Sequence, residues 1–270
     1  MLELFKKRNF SLFWFGEMIS VIGDQISLIA FPWLILQMTN SAALTGLVFA
    51  VQGIPRAVLM LAGGALVDRT SPRLMMIISN ALRLLLVFSL AYMISQDTAD
   101  ISIVFIMAFA FGVADAFFYP ASISILPSLV SRDELQAGNA IIQTTLHLGM
   151  TIGPFVAAFI IAGEIGSAAQ SAELVVSDSV LSAYDLDREG LARAFFIDGL
   201  TFALSLLSLL FVNVRKLNVE DETSSESSLF KEIRQASLWT WSIPAVRLGF
   251  IGMAVIHFFF MPMVFVGIPV

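Results

Sequence analysis

The chain has 270 residues, 58% of them apolar and only 13% charged, with a mean hydropathy of +0.87. A soluble domain carries about 45–50% apolar and about 25% charged residues; burying this excess in a water-soluble core would need a far larger chain, so lipid is the simpler solvent. The net charge of −6 and pI near 4.9 leave no basic surface for nucleic acid, and the lack of cysteine excludes disulfides, thiolate metal sites and cysteine nucleophiles.

Lys6, Lys7 and Arg8 precede an apolar run, as in a signal peptide. The run is longer than such a peptide needs and has no small-x-small cleavage site, so it predicts a retained spanning helix. A spanning helix takes about 20 largely apolar residues. Such runs lie at 11–37, 42–67, 74–95, 101–127, 139–162 and 194–213, and a seventh begins near Ala245 and is still running at Val270. Open strands are not an alternative, because unpaired backbone groups in lipid cost several kcal/mol each. The fold class expected is an all-α membrane protein.

Loop charges set the orientation. With the N-terminus in the cytoplasm, that side receives Lys6, Lys7, Arg8, Arg69, Arg73, Arg132, Arg215, Lys216, Lys231 and Arg234. The outer loops receive Arg188 and Arg193 beside Asp97, Asp100, Glu173, Asp178, Asp185 and Asp187. This is a positive-inside pattern. Residues 163–193 read as a polar, acidic outer loop. Residues 214–244 read as a cytoplasmic linker, opening on the disorder-like "NVEDETSSESS". Its second half spaces Phe230, Ile233 and Trp241 loosely on one face, with Trp239 nearby. That fits a helix lying on the membrane surface or, equally, a plain linker.

Charges inside the runs are the functional signal, since an ionisable side chain at bilayer depth costs at least about 2.5–3.5 kcal/mol. Asp24, Arg56, Arg83 and Asp115 fall near the middles of helices one to four. Two acids and two bases at one depth predict mutual neutralisation around a polar cavity, with a static ion pair as the structural alternative. Glu17 lies two turns before Asp24 on nearly the same face, and His147 lies within helix five. For His147 an interhelical hydrogen bond is the plainer reading, and for Asp198 a cap near the outer end of helix six. If helices one to three and four to six are inverted repeats, Asp24 and Asp115 become equivalents, as in many secondary transporters with sites near the midplane.

The segment "GGALVDRTSPR" between helices two and three resembles the signature loop of the major facilitator superfamily. Gly64, Asp68, Arg69 and Arg73 match, while Ser71 and Pro72 stand where the family has glycine and arginine. Gly64 is expected to let helices approach, and Asp68 with the arginines to bridge cytoplasmic helix ends as a gate. In helix five "GMTIGPF" resembles the family's antiporter motif through Gly149, Gly153 and Pro154, although Ala140, Ala157 and Ala158 replace its other glycines. Gly-x-x-x-Gly by itself signals close helix packing. "FGVADAFFYPASISILPSLVSRDELQAGNAI" and "FFIDGLTFALSLLSLL" resemble the drug and siderophore exporters of the superfamily, among them macrolide-efflux proteins and the enterobactin exporter. The helix-four arginine motif of many proton-coupled antiporters is missing.

The resemblance implies a six-helix N-terminal half (1–213) built as a 3+3 inverted repeat, the linker 214–244, and at 245–270 the start of a truncated C-terminal half. The function it implies is a plasma-membrane permease that exports an amphipathic compound by alternating access. Its partners are protons as coupling ion, the lipid bilayer and the missing half; no cofactor or metal is expected. Phe31, Trp33, Phe49, Phe117, Phe118 and Tyr119 are the expected aromatic wall, unless they pack or face lipid. An importer or facilitator of the same fold, or a non-transporting sensor or scaffold, remains the alternative. An enzyme is not expected, for want of an HExxH helix or a Ser/His/Asp set.

Overall fold

A computed structural model describes residues 2–162, 188–214, 238–239, 241–249 and 251–252. The acidic loop, most of the linker and most of the seventh run therefore lie outside the described residues. Two units divide the chain, Met1–Asn218 and Val219–Val270. In the second, residues 238–239, 241–242, 244–249 and 251–252 are helical, and Leu238, Trp239, Trp241 and Leu248 are exposed.

In the first unit six helices are long and apolar enough to cross a membrane. They are α1 (Arg8–Thr39), α2 (Ala42–Arg69), α3 (Pro72–Ser95), α4 (Ile101–Leu129), α5 (Leu135–Ala162) and α6 (Arg188–Phe211). The junctions are closed by local chemistry. Asn40 takes the left-handed conformation (φ 49°) that ends α1, and the Ser41 side chain accepts from the Leu44 N–H to start α2. Pro72 opens α3 at its first turn. Asp100 caps α4, and Ser131 and Glu134 form a reciprocal capping box before α5.

The main packing pairs are α1 with α6, α3 with α6, α3 with α4, α2 with α4, and α1 with α5. Exchanging α1 with α4, α2 with α5 and α3 with α6 turns this set into itself. That is the contact pattern of two three-helix repeats related by a pseudo-two-fold axis. Buried apolar residues form layers on either side of a polar band. Ile26–Ile35 of α1, Val87–Ile94 of α3 and Val104–Phe111 of α4 supply one layer; Phe13, Met75, Met76, Phe118 and Ile125 supply the other. Phe31 belongs to the first layer, with ring centroids 5.8 Å from Phe111 and 5.0 Å from Phe195. The expectation that it lines a cavity is corrected accordingly.

Candidate functional site

Arg83 organises the polar band. Its side chain is fully buried, and the guanidinium lies between two aromatic faces, 4.0 Å from the Phe118 centroid and 4.5 Å from that of Phe202. Nη1 donates to Asp24 Oδ1 at 2.9 Å and to Asp115 Oδ1 at 3.3 Å, while Nη2 donates to Asn80 Oδ1 at 2.5 Å. Asn80 is held in turn by donating to Ser205 Oγ at 2.9 Å. Arg56 completes the set, with Nη1 2.8 Å from Asp115 Oδ2.

Asp24, Arg56, Arg83 and Asp115 are thus brought together from four helices. Asp24 and Asp115, on the pseudo-symmetric helices α1 and α4, grip the same guanidinium nitrogen. The side chains grade outward: Arg83 is 0% exposed, Asp115 11%, Asp24 33% and Arg56 49%. The band therefore opens on its Arg56 side and is sealed on its α3 side. A charge pair with one exposed member can exchange partners with water or an incoming solute, whereas Arg83 is fully buried among the groups that hold it.

Glu17 is buried and faces the same band; its Oε2 has no hydrogen-bond partner. His147 is not part of the cluster. It is exposed on α5, with Nδ1 2.7 Å from the carbonyl oxygen of Gln143 on its own helix. Asp198 is a site the sequence misplaces. Charged Arg188, Glu189 and Arg193 made the first turns of helix six read as loop, yet the helix already runs from Arg188. That puts Asp198 near mid-helix, fully buried, with Oδ2 accepting from the Ser27 hydroxyl and Oδ1 3.3 Å from the Thr201 hydroxyl oxygen, instead of capping a helix end. The 24-residue helices α3 and α6 carry Arg83 and Asp198 at nearly the same height, so the pseudo-symmetry also relates these two.

In the α2–α3 loop, Arg73 donates to the last carbonyls of α6, Nε to Leu209 O at 2.8 Å and Nη2 to Leu210 O at 2.7 Å. It neutralises a helix C-terminus within the same unit. The side chains of Asp68 and Arg69 lie outside the described residues. Gly64 does not serve a close approach in this unit, since a Cβ there would meet nothing within 4 Å. Gly63 does so instead, where a Cβ would stand 2.7 Å from the Ala116 carbonyl oxygen of α4. In α5, Cβ atoms on Gly149 and Gly153 would lie 2.2 Å from Val21 Cγ1 and 2.5 Å from Gln25 Cβ. These glycines seat α5 on α1, and the helix continues through Pro154.

At the far end Arg188 Nη1 pairs with Asp97 Oδ1 at 2.6 Å beside a cavity of about 180 Å³ lined by Leu34, Met38 and Ile94. Ligand pockets run to about 300–1,000 Å³, so this one is too small for a drug-sized solute.

Six helices long and apolar enough to cross a membrane, with paired ion partners in their middles, define a multi-pass membrane protein, and the chain belongs to the Major Facilitator Superfamily, whose profile matches residues 13–270. It is 25% identical over 142 residues to the MFS-type transporter YvqJ of Bacillus subtilis, a match covering 53% of this chain and 34% of the relative. It is 30% identical over 166 residues to the multidrug efflux pump Tap of Mycolicibacterium fortuitum, covering 58% and 40%. The Tap protein of Mycobacterium tuberculosis is 23% identical over 248 residues, covering 89% and 53%. The matched segments thus span between about a third and about half of these relatives. No solved structure matches the chain.

Proposed function

We propose that this chain is the N-terminal half of a proton-driven efflux permease that exports a small amphipathic compound by alternating access. The observation that carries the reading is the single buried guanidinium of Arg83 shared by Asp24 and Asp115, with half-exposed Arg56 bridging to the outside of the cluster. A carboxylate released from Arg83 would have to take a proton or a cationic group to remain in lipid. Binding and conformational change are thereby tied to protonation. The likeness to multidrug efflux pumps supports export as the direction. In this reading the domains are 1–213 as the six-helix half, 214–244 as a cytoplasmic linker and 245–270 as the start of the second half. The membrane is the plasma membrane, with the N-terminus in the cytoplasm as the basic residues favour.

The test is transport in inverted vesicles made with the full-length carrier. Collapsing the proton gradient should abolish accumulation of an exported dye such as ethidium, and Asp24→Asn or Asp115→Asn should do the same while membrane insertion is unchanged. Accumulation that persists without the gradient points to a facilitator. Unchanged transport in both variants removes the two carboxylates from the mechanism.

A further inference from the structure

The polar band holds more acids than bases. Glu17, Asp24, Asp115 and Asp198 sit within the spanning helices against Arg56 and Arg83. Both arginine charges are committed: Arg83 to Asp24 and Asp115, Arg56 to Asp115. Glu17 and Asp198 have no ion-pair partner among the described residues. An ionised carboxylate without a counter-charge is prohibitively costly in a low-dielectric interior, and such a group neutralises instead.

From this surplus we infer that the chain holds two protons in this conformation, one on Glu17 and one on Asp198, and that the proton on Glu17 is the one exchanged during transport. The exchange rests on the proton-driven reading above; the two protonated sites do not.

The surroundings of the two acids separate their roles. Asp198 is closed off. Both its carboxylate oxygens are engaged by hydroxyls, and the α1 backbone at Gly23 lies so close that a Cβ there would stand 2.4 Å from Oδ1. Its proton has no route out. Glu17 is buried but unsatisfied: Oε2 has no partner, and neither has the Ser20 hydroxyl one turn further along α1. Glu17, Ser20 and Asp24 share one helical face, and Asp24 is the first of them to reach the open side. This face gives a proton a path of polar groups from Glu17 to water.

The charged neighbours make the path selective. Glu17 is influenced by Asp24 on its own helix, Arg83 of α3 and Asp115 of α4, and the Ser122 hydroxyl of α4 faces it. Arg56 of α2 is committed to Asp115, His147 of α5 turns to its own helix, and Asp198 of α6 is closed off. When the Glu17 carboxyl gives its proton to water, the carboxylate left behind competes for Arg83. The hold of Arg83 on Asp24 and Asp115 then loosens, linking the proton to the pairs that a solute would rearrange. Reprotonation of Glu17 restores them.

Infrared spectroscopy of the full-length carrier at neutral pH, without any transported compound, tests the two sites directly. Glu17→Gln should remove one protonated-carboxyl C=O band and Asp198→Asn another, whereas Asp24→Asn and Asp115→Asn should remove none. The Glu17 band should shift quickly on transfer to D2O and vanish on alkaline titration; the Asp198 band should do neither. Loss of a band in Asp24→Asn, or an unchanged spectrum in Glu17→Gln, overturns the inference. If Asp198→Asn does not fold, the other three variants still decide where the exchangeable proton sits. Intact bands in a carrier that ignores the proton gradient would retain the sites and remove only the coupling.

Discussion

Arg83 has a task that lysine cannot perform. One planar cation reaches two carboxylates and an asparagine while stacking between Phe118 and Phe202, and this needs several fixed donors on a flat, weakly hydrated group. Arg83→Lys in the full-length carrier should therefore lose most transport despite keeping the charge. Arg83→Gln should also destabilise the protein by about 3–5 kcal/mol, the typical cost of leaving a buried charge unpaired. The companion Asp24→Asn should give back part of that loss, because Asp24 is stranded without Arg83 whereas Asp115 keeps Arg56. A double-mutant cycle read from unfolding midpoints should show coupling of about 0.5–3 kcal/mol. Additive effects would mean that the side chains of Arg83 on α3 and Asp24 on α1 do not interact.

Helix packing depends on small residues at particular crossings, and here the glycines divide cleanly. A Cβ at Gly112 of α4 would stand 2.1 Å from the Gln52 carbonyl oxygen of α2, a rigid backbone atom, whereas one at Gly53 on α2 meets nothing within 4 Å. Gly112→Ala should force α2 from α4 and cost about 1–3 kcal/mol, the usual range for overpacking. Gly53→Ala should cost nothing, because it adds only helix propensity. Equal effects on the thermal unfolding of the full-length carrier would contradict this packing. The spans themselves were legible in sequence because lipid demands long apolar runs, and mid-run Asp24, Arg56, Arg83 and Asp115 stood out for the same reason. What sequence could not supply was facing. His147 sits in an apolar run and points away from the cluster, while Asp198 follows a charged stretch that disguised the first turns of α6. Gly63 and Gly64 are neighbours in the motif, and only the helix rotation shows which one meets α4.

Orientation is a property of the whole molecule, and the cysteine-free sequence offers a direct way to read it. Thr70, at the α2–α3 junction, and Thr98, between α3 and α4, are both exposed and lie at opposite ends of α3. In the proposed orientation, Thr98→Cys should react with a membrane-impermeant maleimide in intact cells, and Thr70→Cys only in inverted vesicles. The reverse pattern would place the N-terminus outside and undo the reading of the loop charges.

Whether six helices can work alone is the larger question. Arg56 and Asp24 open the polar band on one side of this half, and an open band inside a bilayer would place charge against lipid. In the proposed carrier a second half faces that side and makes it a closed, alternately opened cavity; the segment matched in the Tap relative of Mycobacterium tuberculosis is 53% of that protein's length. Residues 1–270 reconstituted alone should therefore insert, keep the Arg83 cluster and transport nothing. Supplying the rest of the carrier as a separate polypeptide should restore gradient-driven transport. Uptake by 1–270 alone, measured in liposomes with an imposed proton gradient, would mean that this half, or an assembly of its copies, already forms a complete pathway.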